Sequence, residues 1–80
     1  MNSINYLPHE ISLANEIAQT LNDPEALPLY LKYARRYKEE FLRSRLERVM
    51  KVDQKKIRTS RGALFTYLIN QAFHDPRNSA

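Results

Sequence analysis

Apolar residues recur at three- and four-residue intervals along almost the whole chain, and this spacing constrains the fold more than any other feature. Such intervals place apolar side chains on one face of a helix, whereas a half-buried strand requires strict alternation, which the sequence lacks. One glycine and four prolines offer few breaks in the pattern. The sequence therefore predicts an all-α fold, a single compact domain of about four helices with short connections.

Prolines mark the starts of the first two helices. Pro8 suits the first turn of a first helix, where a missing N–H costs nothing. The apolar face of that helix comprises Leu7, Ile11, Ala14, Ile17, Ala18 and Leu21. Asp23 is then expected to cap a second helix that has Pro24 at its first position. Pro28 lies inside this second helix, so either its first turn is irregular or it begins one turn later.

A third helix is predicted where the apolar residues change register, near Tyr37 and Lys38. The new stripe indicates a helix over about residues 39–51, although neither glycine nor proline marks the break before it. The polar segment 52–58 that follows is a short connection with room for one helical turn.

The last helix is expected to begin after a polar cap, Thr59 or Ser60, and to end at the Asp-Pro pair at 75–76. Its apolar stripe comprises Leu64, Phe65, Leu68, Ile69, Ala72 and Phe73. We expect the domain to span residues 1–76, followed by a frayed tail at 77–80.

All four helices are expected to contribute to one small core, because a chain of this length buries only about 60–65% of the surface that it exposes when unfolded. The expected core comprises Ile11, Ile17, Leu21, Leu31, Leu42, Leu46, Val49, Leu64, Phe65, Leu68 and Ile69. Leu68 lies between other apolar residues of its stripe, so we expect it to be fully buried.

Almost all the basic residues lie in one stretch, residues 32–61. This stretch holds twelve of the thirteen Lys and Arg residues against four acidic ones, a local charge of +8, while the first 31 residues carry −4. A field of this sign attracts polyanions and favours nucleic acid as the partner. With 42% apolar residues and a net charge of only +4, the chain as a whole is expected to fold.

The strongest candidate site is the segment 55–62, where basic residues and two hydroxyls meet the start of the last helix. Its polar members are Lys55, Lys56, Arg58, Thr59, Ser60 and Arg61. A helix N-terminus offers unpaired N–H groups and a partial positive charge to a phosphate, and Gly62 would let a ligand approach closely. The alternative is that Ser60 is an ordinary cap, the basic side chains are solvated and Gly62 packs against a neighbouring helix.

A second candidate combines aromatic and basic residues on the second helix. Tyr30, Tyr33 and Tyr37 share one helical face. They alternate with basic residues that include Arg35 and Arg36. Aromatic rings beside cations suit single-stranded nucleic acid, because bases stack on the rings. The alternative is that the three rings line the edge of the core with their hydroxyls in water.

A third candidate is the basic face of the third helix. It comprises Arg43, Arg45, Arg48 and Lys51. Basic residues three positions apart follow one another along a helix, so this face could contact successive phosphates. The alternative is a solvated charged face, in which Glu39 and Glu40 pair with Arg43 one turn later.

Signals for an enzyme, a cofactor or a metal are poor. His9 and His74 lie near opposite ends of the chain without a second ligand one turn away, and there is no cysteine. The chain has no Walker loop and no glycine-rich dinucleotide loop. Neither a membrane-spanning apolar run nor a signal peptide is apparent. We expect a non-enzymatic, cytoplasmic protein that uses no cofactor or metal and does not bind membranes.

Residues 57–69, with the sequence IRTSRGALFTYLI, resemble the helical segment near the end of replication initiator proteins of plasmids and phages. In that family a basic stretch leads through a small polar turn into a helix with an aromatic residue and a Leu/Ile repeat. The resemblance covers thirteen of the eighty positions. The chain has no strand-like segment for the winged-helix body of those proteins. The resemblance implies a role in DNA maintenance in a mobile element.

Together these patterns predict a small basic protein that binds DNA or RNA, mainly through phosphate contacts made by residues 32–61. The alternative is a protein-interaction module. In that case the basic segment would meet an acidic partner surface, or the acidic first helix of a second copy in a homodimer.

Overall fold

A computed structural model of the chain describes the backbone of residues 5–74 and the side chains of residues 5–71. Within that range it has no strand and four helices, which are α1 (Pro8–Thr20), α2 (Leu27–Arg36), α3 (Glu39–Lys51) and α4 (Arg61–His74). Two short 3₁₀ turns, Pro24–Ala26 and Gln54–Lys56, precede α2 and α4. The all-α prediction is therefore confirmed. The expected stop at 75–76 and the tail at 77–80 lie outside the described residues.

The chain leaves α1 through a tight reversal at Asn22, whose φ of 53° lies in the left-handed region. The N–H of Asn22 donates to the carbonyl of Gln19 at 3.1 Å, and the N–H of Asp23 donates to that of Ala18 at 2.8 Å. This pair of hydrogen bonds satisfies carbonyls that the helix end would otherwise leave unpaired. Asparagine is one of the few side chains that tolerate such a backbone conformation. The reversal brings Asp23 to the start of the next element.

The second helix begins one turn later than its first proline. Pro24 opens a single 3₁₀ turn, and α2 itself starts at Leu27 with Pro28 in its first turn, which was one of the two predicted alternatives. Asp23 occupies the N-cap position before Pro24, as predicted, but the element that it precedes is the 3₁₀ turn, and its side chain makes no capping hydrogen bond. Its carboxylate instead accepts a hydrogen bond of 3.0 Å from the hydroxyl of Tyr30.

The break between α2 and α3 lies at Tyr37 and Lys38, both in extended conformation, as the register change predicted. The ring of Tyr37 packs against Tyr33 at 5.7 Å on one side and against Phe41 at 5.3 Å on the other, measured between ring centroids. These aromatic contacts hold the two helix ends together where the sequence has neither glycine nor proline.

The core lies where α1 packs on α2 and α3 packs on α4. Its largest fully buried side chains are Tyr30, Phe65, Ile17, Leu42, Ile69 and Val49. Phe65 links the α3–α4 pair to the α1–α2 pair. Its ring centroid lies 5.8 Å from that of Tyr30 and 6.3 Å from that of Tyr33. Of the predicted core, Leu21 and Leu46 are also buried.

Four predicted core residues lie elsewhere. Ile11 is 44% exposed, because the buried face of α1 centres on Ala14 and Ile17 and leaves Ile11 at its edge, while Leu13 is buried instead. Leu31, Leu64 and Leu68 are half-buried. The prediction that Leu68 is fully buried is wrong, because α4 turns the face of Phe65 and Ile69 toward the core. The side chains of Ala72 and Phe73 are outside the described range.

Candidate nucleic-acid interface

Arg35 joins α2 to the start of α1. Its guanidinium donates to Glu10 at 3.1 Å and to the carbonyl of Asn5, and it lies over the ring of Tyr6 at 4.6 Å. Glu10 is only 6% exposed and also accepts a hydrogen bond of 2.8 Å from the N–H of Leu7. The hydrogen bond from the Leu7 N–H holds the pKa of Glu10 below its ordinary value, and Arg35 lowers this pKa further. Burial of the carboxylate opposes both effects. Arg35 therefore has a structural role.

Arg43 joins α3 to α1 through a bidentate ion pair. Two of its nitrogens donate to the two oxygens of Glu16 at 2.7 and 2.9 Å, and its Nε donates to Glu39 at 2.7 Å. The hydrogen bond from Arg43 holds the pKa of Glu16 below its ordinary value. Two carboxylates compensate this one guanidinium, so Arg43 adds little to a field that would attract phosphate.

Acid is expected to destabilise the fold through these two pairs. The pKa values of Glu10 and Glu16 in the folded protein lie below the ordinary 4.5, so their contribution to stability is complete above about pH 4.5. It is lost as the pH falls through the folded-state pKa values, because protonation breaks the hydrogen bonds to the ionised carboxylates. The melting temperature, measured as a function of pH, should therefore fall below about pH 4.5, mainly through Glu10, because Glu16 and Arg43 are both nearly half exposed.

Glu10→Gln and Glu16→Gln should each reduce the steepness of this acid transition and lower the melting temperature near neutral pH. Glu25→Gln is the matched control, because Glu25 is exposed and has no ion pair with another described residue. Acid transitions of the same steepness in the parent and in both variants would contradict the assignment.

Arg61 caps the end of α3 from the start of α4. Its guanidinium donates to the carbonyls of Val49 at 2.6 Å and Val52 at 3.2 Å, and to the side chain of Gln54 at 3.1 Å. Helix C-termini favour a cation, because their last carbonyls are unpaired and carry partial negative charge. This side chain, predicted to contact nucleic acid, thus joins the end of α3 to the start of α4.

Arg36 and Arg45 lie on the surfaces of their own helices. Arg36 is exposed in the last turn of α2, where a positive charge suits the helix dipole. Arg45 is half-buried, with its guanidinium 4.7 Å above the ring of Phe41. A cation–π contact of this kind holds the side chain along α3.

The remaining predicted cations follow one another from the last turns of α3 into the connection to α4. We call this group the basic connection; it comprises Arg48, Lys51, Lys55, Lys56 and Arg58. All five side chains are exposed. Lys51 pairs with Glu47 at 3.3 Å, but both partners are more than 70% exposed, so the pair is weak. The other four side chains have no ion pair or hydrogen bond with another described residue.

The start of α4 has an ordinary polar cap. The hydroxyl of Ser60 accepts a hydrogen bond of 3.0 Å from the N–H of Ala63. Ser60 is one of the two residues predicted to cap this helix. Thr59 is exposed beside it. The Ser60 hydroxyl is therefore engaged within the chain, which agrees with the capping alternative for this residue.

Gly62 is buried, and the group that approaches it is part of the protein. A Cβ atom at this position would overlap the carboxylate of Asp23 and lie 3.0 Å from the hydroxyl oxygen of Tyr30. The interpretation that Gly62 admits a ligand is therefore wrong. The carboxylate beside the first turn of α4 provides the negative charge that the helix dipole favours.

The three tyrosines of the second candidate site lie in the core or pack against it. Tyr30 and Tyr33 are buried, and Tyr37 is half-buried between its aromatic neighbours. Burial, followed by the hydrogen bond to Asp23, raises the pKa of Tyr30 far above its ordinary value. Stacking of bases on Tyr30 and Tyr33 is excluded by this packing. The alternative, with the rings at the edge of the core and their hydroxyls in water, is wrong for Tyr30, whose ring is fully buried and whose hydroxyl donates to Asp23.

A shallow groove of about 400 Å³ lies next to the basic connection. The apolar part of its lining is formed by Val52, Ile57, Ala63 and Leu64. Lys56, Arg58 and Thr59 provide polar lining, and Tyr67 adds an aromatic ring that is 59% exposed. Sequence reasoning missed Tyr67. Helical spacing would have predicted its exposure, because Tyr67 lies on the opposite side of α4 from Phe65 and Ile69.

Comparison with known proteins finds no protein-family model, no curated protein and no solved structure that matches the chain. The resemblance of residues 57–69 to replication initiator proteins therefore stays a prediction. Within the described part of the chain, no helix is long and apolar enough to cross a membrane. The same part has no cluster of three side chains suited to hold a metal ion.

Proposed function

We propose that this protein binds nucleic acid without catalysing a reaction, and that the basic connection contacts the phosphate backbone. The observation that carries the proposal is the row of five exposed cations from Arg48 to Arg58, four of which have no charged partner among the described residues. Cations that are not compensated within the protein attract phosphates and release counterions when they bind.

The proposed interface is smaller than the basic stretch 32–61. Arg35 and Arg43 are paired with carboxylates, and Arg61 caps α3, so these three arginines support the fold. The phosphate contacts are assigned to exposed side chains, of which only Lys51 has an ion pair with another described residue, and that pair is weak. Both DNA and RNA satisfy this chemistry.

The resemblance of residues 57–69 to replication initiator proteins supports a biological role for the binding. It favours DNA maintenance in a mobile element, in which the protein acts as an accessory factor in the cytoplasm. The segment includes Arg58 of the basic connection and Tyr67 of the groove.

An interaction with an acidic protein surface is the second candidate function, because the same exposed cations would also attract carboxylates. The structure gives less support to self-association through the acidic first helix. Glu10 and Glu16 of that helix are already paired with Arg35 and Arg43 within the chain.

Replacement of Lys55, Lys56 and Arg58 by alanine should lower the affinity for nucleic acid at least about tenfold at low salt. It should also reduce the slope of log affinity against log salt concentration by up to about three, because three phosphate contacts are lost. The circular dichroism spectrum should not change, since the three side chains are exposed. Fluorescence anisotropy with duplex and single-stranded probes at two salt concentrations measures both effects.

The matched control compares two pairs of lysines. Lys55→Ala/Lys56→Ala and Lys32→Ala/Lys38→Ala remove the same residue types and the same charge, and all four lysines are exposed. Only the first pair should weaken binding strongly. Equal loss in both double variants would point to a nonspecific effect of net charge, and unchanged affinity in the triple variant would overturn the proposal.

A further inference from the structure

The groove beside the basic connection combines three features that a nucleotide can use together. Val52, Ile57 and Leu64 give it an apolar lining, Tyr67 adds an exposed ring, and Lys56 and Arg58 carry positive charge within the same lining. Its volume of about 400 Å³ is within the range of small-ligand pockets. A groove of this size has room for one small planar group.

We infer that this groove binds one unstacked base of a single-stranded nucleic acid against Tyr67, while Lys56 and Arg58 contact the phosphates on either side of that base. The inference rests on the proposed function and adds to it the class of nucleic acid. A duplex hides the faces of its bases in the stack, so it offers the apolar groove no partner. A single strand can rotate a base outward and stack it on an aromatic ring.

Tyr67 is the residue that distinguishes this site from a purely electrostatic one. The aromatic side chains Tyr30, Tyr33 and Phe65 are buried in the core, whereas Tyr67 has most of its surface in solvent. Its hydroxyl accepts a hydrogen bond of 3.4 Å from the side-chain amide of Gln71, one turn along α4. This contact engages the polar end of the side chain and leaves the ring beside the groove.

The charges around the groove favour a polyanion over a single acidic side chain. Lys56 and Arg58 line the groove, and the other three exposed cations of the basic connection, Lys55, Lys51 and Arg48, precede them in the chain. One carboxylate would engage at most one or two of these cations. A strand with a phosphate at every nucleotide can engage the whole row while one of its bases occupies the groove.

The test uses the full chain and three labelled probes of equal length: a single-stranded oligothymidylate, an abasic oligonucleotide with the same phosphates, and a duplex. The parent protein should bind the oligothymidylate more tightly than the other two. Tyr67→Ala should weaken oligothymidylate binding about fivefold or more, the expected effect of losing one stacked base. It should leave abasic and duplex binding unchanged, and Tyr67→Phe, which keeps the ring, should bind like the parent.

Met50→Ala is the matched control, because Met50 is an exposed apolar residue next to Lys51 that lines a different groove. Its binding should equal that of the parent, and melting curves should show that every variant is folded. If Tyr67→Ala binds all three probes like the parent, or weakens all three equally, the base-binding inference is overturned while the proposed function stands. If the parent binds none of the probes, both are overturned. If the parent binds none of the three probes but binds an acidic peptide, and Tyr67→Ala weakens that binding, the occupant of the groove is a protein.

Discussion

Phe65→Ala is expected to lower the free energy of unfolding by about 3–5 kcal/mol. Phe65 is fully buried, and its ring connects α4 to Tyr30 and Tyr33 of α2. Removal of the ring leaves a cavity where the two helix pairs meet, so little of the lost contact can be recovered by local relaxation. A domain of this size has a total stability of roughly 5–15 kcal/mol, so the variant should be close to unfolding. Urea denaturation followed by circular dichroism measures the change.

Leu68→Ala is the comparison that makes this prediction specific. Leu68 lies in the same helix but is half-buried, so its truncation should cost less than about half as much as that of Phe65. Equal losses of stability in the two variants would contradict the orientation of α4, because that result would place both side chains at the centre of the core.

Gly62→Ala is expected to destabilise the protein by about 1–3 kcal/mol, as other overpacked substitutions do. Helix propensity alone predicts the opposite sign, a gain of roughly 0.5–1 kcal/mol for alanine in a helix. The difference arises because the new methyl group would displace the Asp23 carboxylate from the buried hydroxyl of Tyr30. The hydroxyl would then lose its hydrogen-bond partner in a buried position. The melting temperature gives the sign directly.

A second background identifies the cause of this effect. In the Asp23→Ala/Tyr30→Phe protein both atoms that crowd Gly62 are absent, so Gly62→Ala should there be neutral or stabilising. The difference between the two backgrounds measures the coupling between the glycine and its neighbours. A gain of stability in the parent background would show that the space beside Gly62 is open. Gly62 would then be an ordinary first-turn residue without a close tertiary neighbour.

Much of the local structure of this protein could be predicted because it depends on residues close together in the chain. Pro8 at the start of α1, Ser60 at the start of α4 and the register change before Glu39 all act within about one helical turn. The helical class and the position of α3 follow from such local signals. The basic connection also follows, since its cations are close in sequence and solvation of an exposed side chain is the usual outcome.

The tertiary structure alone decided which cations pair with carboxylates of another helix and where the centre of each buried helix face lies. Glu10 and Glu16, which pair with Arg35 and Arg43, lie 25 and 27 residues away in the chain, and Asp23 approaches Gly62 from the turn between α1 and α2. Helix periodicity defines an apolar stripe but not its centre, because the centre depends on where the neighbouring helices cross. Burial and the ion pairs that join different helices depend on residues that meet only after the helices have packed, so local spacing could not predict them. The pair between Glu39 and Arg43 is different, because its two residues lie one turn apart in α3 and their spacing predicted it.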